Sequence, residues 1–280
     1  LIRVVSYNIH KGRSALGRRD SLNELRLGLY GLRPDLVFLQ EVQGRNEQKS
    51  LLDAQHESLA AALKLDVAYG RNAIRHETDH GNALLSRFPI LEHENQDISD
   101  HRLEQRGLLH ATIEVDGRAV HCFVVHLGLF AGSRSQILAL TARIRRMVPD
   151  GEPILIAGDF NDWGDRLAPL FVQQLGLYEV FSHAPRSHGG ELPRLRDSVK
   201  RLSNALRGLP SSGVSVLERN NQLGMDGNSR LMLPPPRTFP AVFPWFRLDR
   251  IYQRGFAVRS ARVLRGREWA RLSDHSPLLA

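Results

Sequence analysis

The chain has 280 residues, 42% of them hydrophobic and 24% charged, which supplies a sizeable core and excludes a disordered polymer. No apolar run reaches the roughly 18 residues that a membrane-spanning helix needs, and Cys122, the single cysteine, excludes an intrachain disulfide and a cysteine-rich zinc site. A net charge of +8 favours anionic partners such as nucleic acid, a phospholipid surface or phosphorylated small molecules; only Lys11, Lys49, Lys64 and Lys200 are lysines, and the arginines are scattered without a long run.

From the N-terminus, Ile2–Ile9 reads as a strand that starts almost at once, so no signal peptide is visible and a cytoplasmic location is expected. Asp20 is expected to cap a helix to about Leu32, with Leu22, Leu25, Leu29 and Leu32 on one face and Pro34 as the stop. Asp35–Val42 is nearly continuously apolar, the pattern of a strand covered on both faces. A second helix is expected over Leu51–Leu63, then strands around Val67–Tyr69, Asn82–Ser86, Leu108–Val115 and Ala119–His126, the last two joined by the hairpin signal Asp116-Gly117. Cys122 sits within this last strand and reads as a buried, inert thiol. A helix over Ser133–Val148, a buried strand over Pro153–Ala157 and a helix over Leu167–Leu175 follow.

The character changes from Pro185 to Pro236, where Gly, Ser, Asn, Pro and Arg dominate. Inside it Leu192, Leu195, Val199, Leu202, Leu206 and Leu209 recur at helical spacing among basic residues, a short basic amphipathic helix that packs on the core or lies on a membrane. Strands resume at Arg247–Gln253 and Phe256–Leu264. The two halves echo one another: one has a strand ending at Asn8 and another at Glu41, the other a strand ending at Asp159 and Asn161. That echo predicts one domain over residues 1–280 of two β-rich halves packed face to face with helices outside, interrupted at about 185–236.

Polar clusters sit at the ends of four apolar strands, Ser6-Tyr7-Asn8, Gln40-Glu41, Gly158-Asp159-Phe160-Asn161-Asp162 and Leu248-Asp249-Arg250, and a fifth, Ser273-Asp274-His275, at the entry to a final strand. A strand that ends in such a group delivers it to one edge of a sheet, so the five predict one shared, acid-rich site able to hold a hard divalent cation. Together with Gly81-Asn82-Ala83-Leu84-Leu85-Ser86-Arg87 and Val125-His126-Leu127, these runs occur in an order that resembles the endonuclease/exonuclease/phosphatase superfamily. Its members are metal-dependent phosphoesterases of the DNase I-like fold. The resemblance spans Val4 to Leu278 except for the 185–236 segment, and is greatest to a compact bacterial branch. It implies an α/β fold of two packed mixed β-sheets flanked by helices, a four-layer α/β/β/α sandwich.

Cleaving an anionic ester requires charge neutralisation, a positioned water and a steadied leaving oxygen, which is why acids, amides and imidazoles are expected together. Glu41, at the end of a central strand, is the leading candidate ligand for Mg²⁺, with Mn²⁺ also suited. The resemblance implies Asp274 as a second metal contact and Asn8 as a neighbour of metal or phosphate. It implies that Asp159 aligns or deprotonates the water, that Asn161 holds the water or the phosphate, and that Asp249 orients His275 on a phosphate oxygen. His126 is expected to stabilise the transition state. Whether Asp159 or His275 is the base stays open at this stage. Arg106 and Asn82 resemble positions near the site or are turn residues; Phe239, in Thr238-Phe239-Pro240, stacks on a base, contacts a lipid or simply stiffens a turn.

The substrate is expected to be a phosphate ester of nucleic acid or of a phospholipid head group, hydrolysed by a monomer. The charge of +8 favours a nuclease slightly. The Gly81–Ser86 run and the basic helix favour a phospholipase C-like or sphingomyelinase-like enzyme with peripheral membrane contact, and a phosphatase of small molecules is a third possibility. An inositol-phosphate 5-phosphatase is set aside, because Arg247-Leu248-Asp249-Arg250 replaces its Trp-Cys-Asp-Arg pattern. A catalytically silent binding module is disfavoured by the intact Glu41, Asp159, Asn161, Asp249, Asp274 and His275. The 185–236 insertion is expected beside the cleft, filtering substrates.

Overall fold

The computed structural model describes residues 1–46, 54–75, 78–99, 106–128, 133–162, 167–184 and 235–280. The basic amphipathic helix, nearly all of the 185–236 insertion and the first turn expected of the helix at 51–63 lie outside these residues.

The first sheet is built from β1 (Val4–Asn8), β2 (Leu36–Asn46), β3 (Asp66–Arg75) and β4 (Thr78–Ser86), completed late in the chain by β11 (Arg262–Val263) and β12 (Leu278–Leu279). The second contains β5 (Ile90–Asp97), β6 (Gly107–Val115), β7 (Arg118–His126), β8 (Ile154–Asp159), β9 (Tyr178–Glu179) and β10 (Asp249–Arg254). Strand orders are β11-β12-β1-β2-β4-β3 and β5-β6-β7-β8-β10-β9. Each sheet has one parallel pair, β1 with β2 and β7 with β8. A parallel pair needs a crossover, supplied by α1 (Leu22–Leu32) in the first half and α3 (Ser133–Met147) in the second. This repeated unit is the echo seen in the sequence.

The two-residue period of a strand sorts apolar side chains into layers. Leu36 and Phe38 face the second sheet, while Val37 and Leu39 pack on α1 and on α2 (Gln55–Leu63). In the second sheet Cys122, Val124, Leu155, Ala157 and Ile251 face inward. Phe123, Val125, Ile154 and Ile156 pack on α3 and on α4 (Leu167–Leu175). The result is the four-layer α/β/β/α sandwich, each fully buried Leu, Ile or Phe contributing about 1.5–3 kcal/mol. Cys122 is fully buried, and burial pushes its thiol well above the usual range.

Several elements differ from the sequence reading. Helix α1 begins at Leu22 with Ser21 as its N-cap; Asp20 Oδ1 accepts from Leu22 N at 2.9 Å, and Ser21 Oγ donates to Leu272 O instead. Strand β5 carries no apolar alternation and is exposed along most of its length, a polar edge that discourages pairing with another chain. The strand expected over Phe256–Leu264 shrinks to Arg262–Val263. β9 and α5 (Val180–His183) were not anticipated.

Candidate active site

The inter-sheet layer is apolar at its centre and polar at one end. Continuing each inward-facing row by two-residue steps leads from Phe38 to Gln40, from Val124 to His126, from Ala157 to Asp159 and from Ile251 to Asp249. Register fixes the neighbours: Asn8 lies opposite Gln40, and Asp159 lies opposite both His126 and Asp249. All six are buried.

Glu41 reaches the site through a backbone irregularity. Between the pairs Leu39–Ala83 and Val42–Gly81, two residues of β2 face the single residue Asn82 of β4, which is a β-bulge. The extra residue lets Val42 return to the helix-facing core that Leu39 also occupies. Glu41 adopts φ +53 and keeps its side chain 29% exposed. Seven non-glycine residues have left-handed backbones among the described residues. Arg33 and Lys64 end helices and Asp116 sits in the hairpin. The other four, His10, Lys11, Glu41 and Asn161, cluster in this region, in the turn at His10–Gly12, the bulge of β2 and the loop after β8, each at a strain of about 1–2 kcal/mol.

Asp159 is the hub. Asn8 Nδ2 donates to its Oδ2 at 3.2 Å and Asn161 N to its Oδ1 at 3.1 Å. Nε2 of His126 and Nε2 of His275 each stand 3.6 Å from Oδ2. Asn161 is itself fixed by donating through Nδ2 to Leu127 O at 2.8 Å. His275 donates through Nδ1 to Asp249 Oδ2 at 2.9 Å, and Asp249 Oδ1 is buried with no hydrogen-bond partner among the described residues. Burial raises Asp159 to about 6, against the lowering effect of His275. Burial opposes charge on His275, but Asp249 and Asp159 outweigh it and raise the imidazole to about 10. His126 is driven well below its ordinary value by burial and by the Arg106 charge. One imidazole is therefore cationic at neutral pH and the other neutral.

Two further carboxylates face a short 3-10 segment, His10–Gly12. His10 Nδ1 lies 2.8 Å from Asp274 Oδ1, and Lys11 Nζ lies 3.8 Å from Glu41 Oε2. The hydrogen bond to Asp274 raises His10, and although burial opposes charge on Asp274, His10 and His275 hold it low. Ser273 Oγ donates to Asn8 O at 2.7 Å, tying the Asp274 loop to β1.

Two groups could hold a cation. Asp159, Asp249 and His275 offer ligand atoms within 4.8 Å of one another. These three already partner each other, and a cationic imidazole between two acids repels a metal. Glu41 and Asp274 are partly exposed, present oxygen donors suited to a hard ion, and stand against Lys11 and His10 respectively. Their chemistry fits a divalent ion better.

The remaining expected residues fall nearby. Arg106 Nη1 lies 3.4 Å from His126 Nδ1. The Phe239 ring centre is 4.9 Å from that of His275. Asn82 is fully buried, its Nδ2 donating to Gly107 O at 2.9 Å and to Val124 O at 3.3 Å, a tie between the sheets. His56 is buried and stacked on Tyr69, and His93 is exposed on β5; both lie apart from this cluster. The sequence reading gave no role to His10 or Lys11, and it named Ser273 only within the run Ser273-Asp274-His275. Only the adjacency of His10 to Asn8 hinted at the first.

Residues 5–275 match the Endonuclease/Exonuclease/phosphatase family. The Escherichia coli (strain K12) protein named Uncharacterized protein YbhP is 38% identical over 286 residues, covering 99% of this chain and 94% of that one. An endonuclease/exonuclease/phosphatase family protein from Leptotrichia buccalis C-1013-b superposes with a TM-score of 0.66 at 14% identity, covering 100% and 98% of the two chains. The human Nocturnin catalytic domain with bound sulfate anion gives 0.62 at 18% identity, covering 99% and 92%. The last two likenesses concern the fold alone.

Proposed function

The chain belongs to the Endonuclease/Exonuclease/phosphatase family, and from that membership we propose that it is a divalent-metal-dependent phosphodiesterase. The observation that carries the reading is the row His126, Asp159 and Asp249, in register on three neighbouring strands and closed by His275.

In this reading Glu41 and Asp274, with Asn8 beside them, would hold Mg²⁺ or Mn²⁺. Such a cation would neutralise charge on the ester and polarise a phosphoryl oxygen. Asp159 accepts a proton from the attacking water, its orientation set by Asn8 and Asn161. His275 cannot be that acceptor while it is cationic; it donates through Nε2 to a non-bridging oxygen, and Asp249 holds its other nitrogen. Arg106 donates to His126 Nδ1, which leaves the His126 proton on Nε2, aimed toward Asp159 and the reacting group. Phe239 limits the space over His275.

The test is turnover of an aryl phosphodiester with and without EDTA, in Mg²⁺ and in Mn²⁺, with Glu41→Ala as the blank. A panel of abasic DNA, single-stranded DNA, RNA, sphingomyelin, phosphatidylglycerol and phosphoinositides then ranks the esters. Turnover that resists EDTA and survives in Glu41→Ala overturns the metal assignment. The net charge of +8 suits nucleic acid and anionic lipid alike, so the surface around the site has to discriminate between them.

A further inference from the structure

Two loops hang from Asp274, and both end in exposed apolar side chains. The first runs from Thr238 to Phe246. It closes on itself through Thr238 N to Phe246 O at 2.8 Å and Trp245 N to Phe239 O at 2.7 Å, with a turn from Phe243 N to Pro240 O at 3.1 Å. It is pinned to the site by Ala241 N to Asp274 O at 2.6 Å and by Ser276 N to Thr238 O at 2.9 Å. Its tip exposes Val242 (72%), Phe243 (63%) and Trp245 (46%). The second loop leaves His10, whose ring contacts Asp274, and turns at Ser14–Gly17. Leu16 at its tip is 79% exposed.

Exposed apolar tips of this kind cost solubility unless something covers them. Pro240 and Pro244 and the closing hydrogen bonds keep the first tip from folding back on the protein. Cations surround both tips. Arg13 and Arg18 are exposed on the second loop, and Arg237 and Arg247 flank the first. The exposed Arg265 donates to Arg237 O. No acidic residue occurs between Pro235 and Arg247.

We propose that this rim docks on an anionic phospholipid surface, so that the ester reaching Asp159 is a lipid head group. The identity of the substrate rests on the phosphodiesterase reading; the docking does not. Aliphatic and aromatic side chains at the tip of a rigid loop gain by entering the acyl boundary, and arginines around them gain from anionic head groups. Single-stranded nucleic acid is the weaker fit, because it binds by stacking on aromatic faces. Val242 and Leu16, the most exposed of the four, have no such face.

The test is co-sedimentation of the full chain with vesicles of equal parts phosphatidylethanolamine and phosphatidylglycerol, compared with phosphatidylcholine vesicles and with a single-stranded oligonucleotide. The expected result is binding to the anionic vesicles that falls about tenfold or more in Val242→Ser/Phe243→Ser. Leu91→Ser, on an exposed residue of β5, is expected to change nothing. Lipids brominated on the acyl chain are expected to quench a tryptophan signal that disappears in Trp245→Phe. Glu41→Ala is expected to bind vesicles as the parent does, so loss of the phosphodiesterase reading and loss of docking are told apart. Equal binding by parent and double variant, or tip-dependent binding to the oligonucleotide in place of vesicles, overturns the proposal.

Discussion

Asp249 and His275 are hydrogen-bonded at 2.9 Å although they come from different sheets, Asp249 opening β10 of the second and His275 three residues ahead of β12 in the first. The pair therefore depends on the packing between the two halves. Asp249→Asn removes the charge that holds the imidazole cationic while keeping the shape. Turnover of the aryl phosphodiester is expected to fall about 10²–10⁴-fold with little change in KM. An unchanged kcat would remove His275 from the reaction.

Glu41 makes two separable contributions. Its carboxylate is expected to bind metal, so Glu41→Ala should abolish Mg²⁺-dependent turnover, as EDTA does in the parent. Its backbone is left-handed, so Glu41→Gly should be more stable than Glu41→Ala by about 1 kcal/mol, read from urea unfolding. Equal stability of the two variants would mean that the bulge relaxes.

Two buried groups away from the site give opposite pH dependences. Glu179 is raised to about 7, chiefly by burial, against hydrogen bonds from Ser182. The folded state thus keeps a proton that the unfolded chain loses from about pH 4.5 upward, and this contribution to stability is lost as pH rises through 7. His110 is lowered to about 4 by burial and by His121. Its contribution is present above 6.5 and is lost as pH falls through 4. Glu179→Gln is expected to gain on the parent between pH 5 and pH 8 by up to about 3 kcal/mol. His110→Phe is expected to gain on the parent as pH drops from 6.5 to 4. Urea midpoints across this range check both; parallel curves for parent and variant would reject the assignment.

Asn82 distinguishes a tie between sheets from a substrate contact. Asn82→Ala leaves two buried carbonyls, Gly107 O and Val124 O, without this donor, and a loss of about 1–3 kcal/mol in stability is expected. If Asn82 also touches the ester, KM for the aryl phosphodiester rises in the same variant at a temperature where it stays folded.

The layers were legible in the sequence because alternate residues of Leu36–Leu39 had to be apolar on both faces. The candidate site was legible in outline because acids and amides at the tips of apolar strands have few other uses. What escaped depended on partners. Strand β5 exists because β6 offers it an edge, and its own polar sequence carries no signal. The bulge at Gln40-Glu41 is a matter of register against Asn82, invisible in either strand alone. The contact of His10 with Asp274 joins the two ends of the chain, and no spacing rule reaches that far.

Four side-chain-bearing residues around the candidate centre, His10, Lys11, Glu41 and Asn161, hold backbone angles that glycine would adopt more easily. A laboratory screen for heat tolerance would therefore be drawn to these positions. Its winners at Glu41 and Asn161 would be sturdier proteins that had lost the groups proposed to do chemistry, so any such campaign has to select for turnover and endurance together.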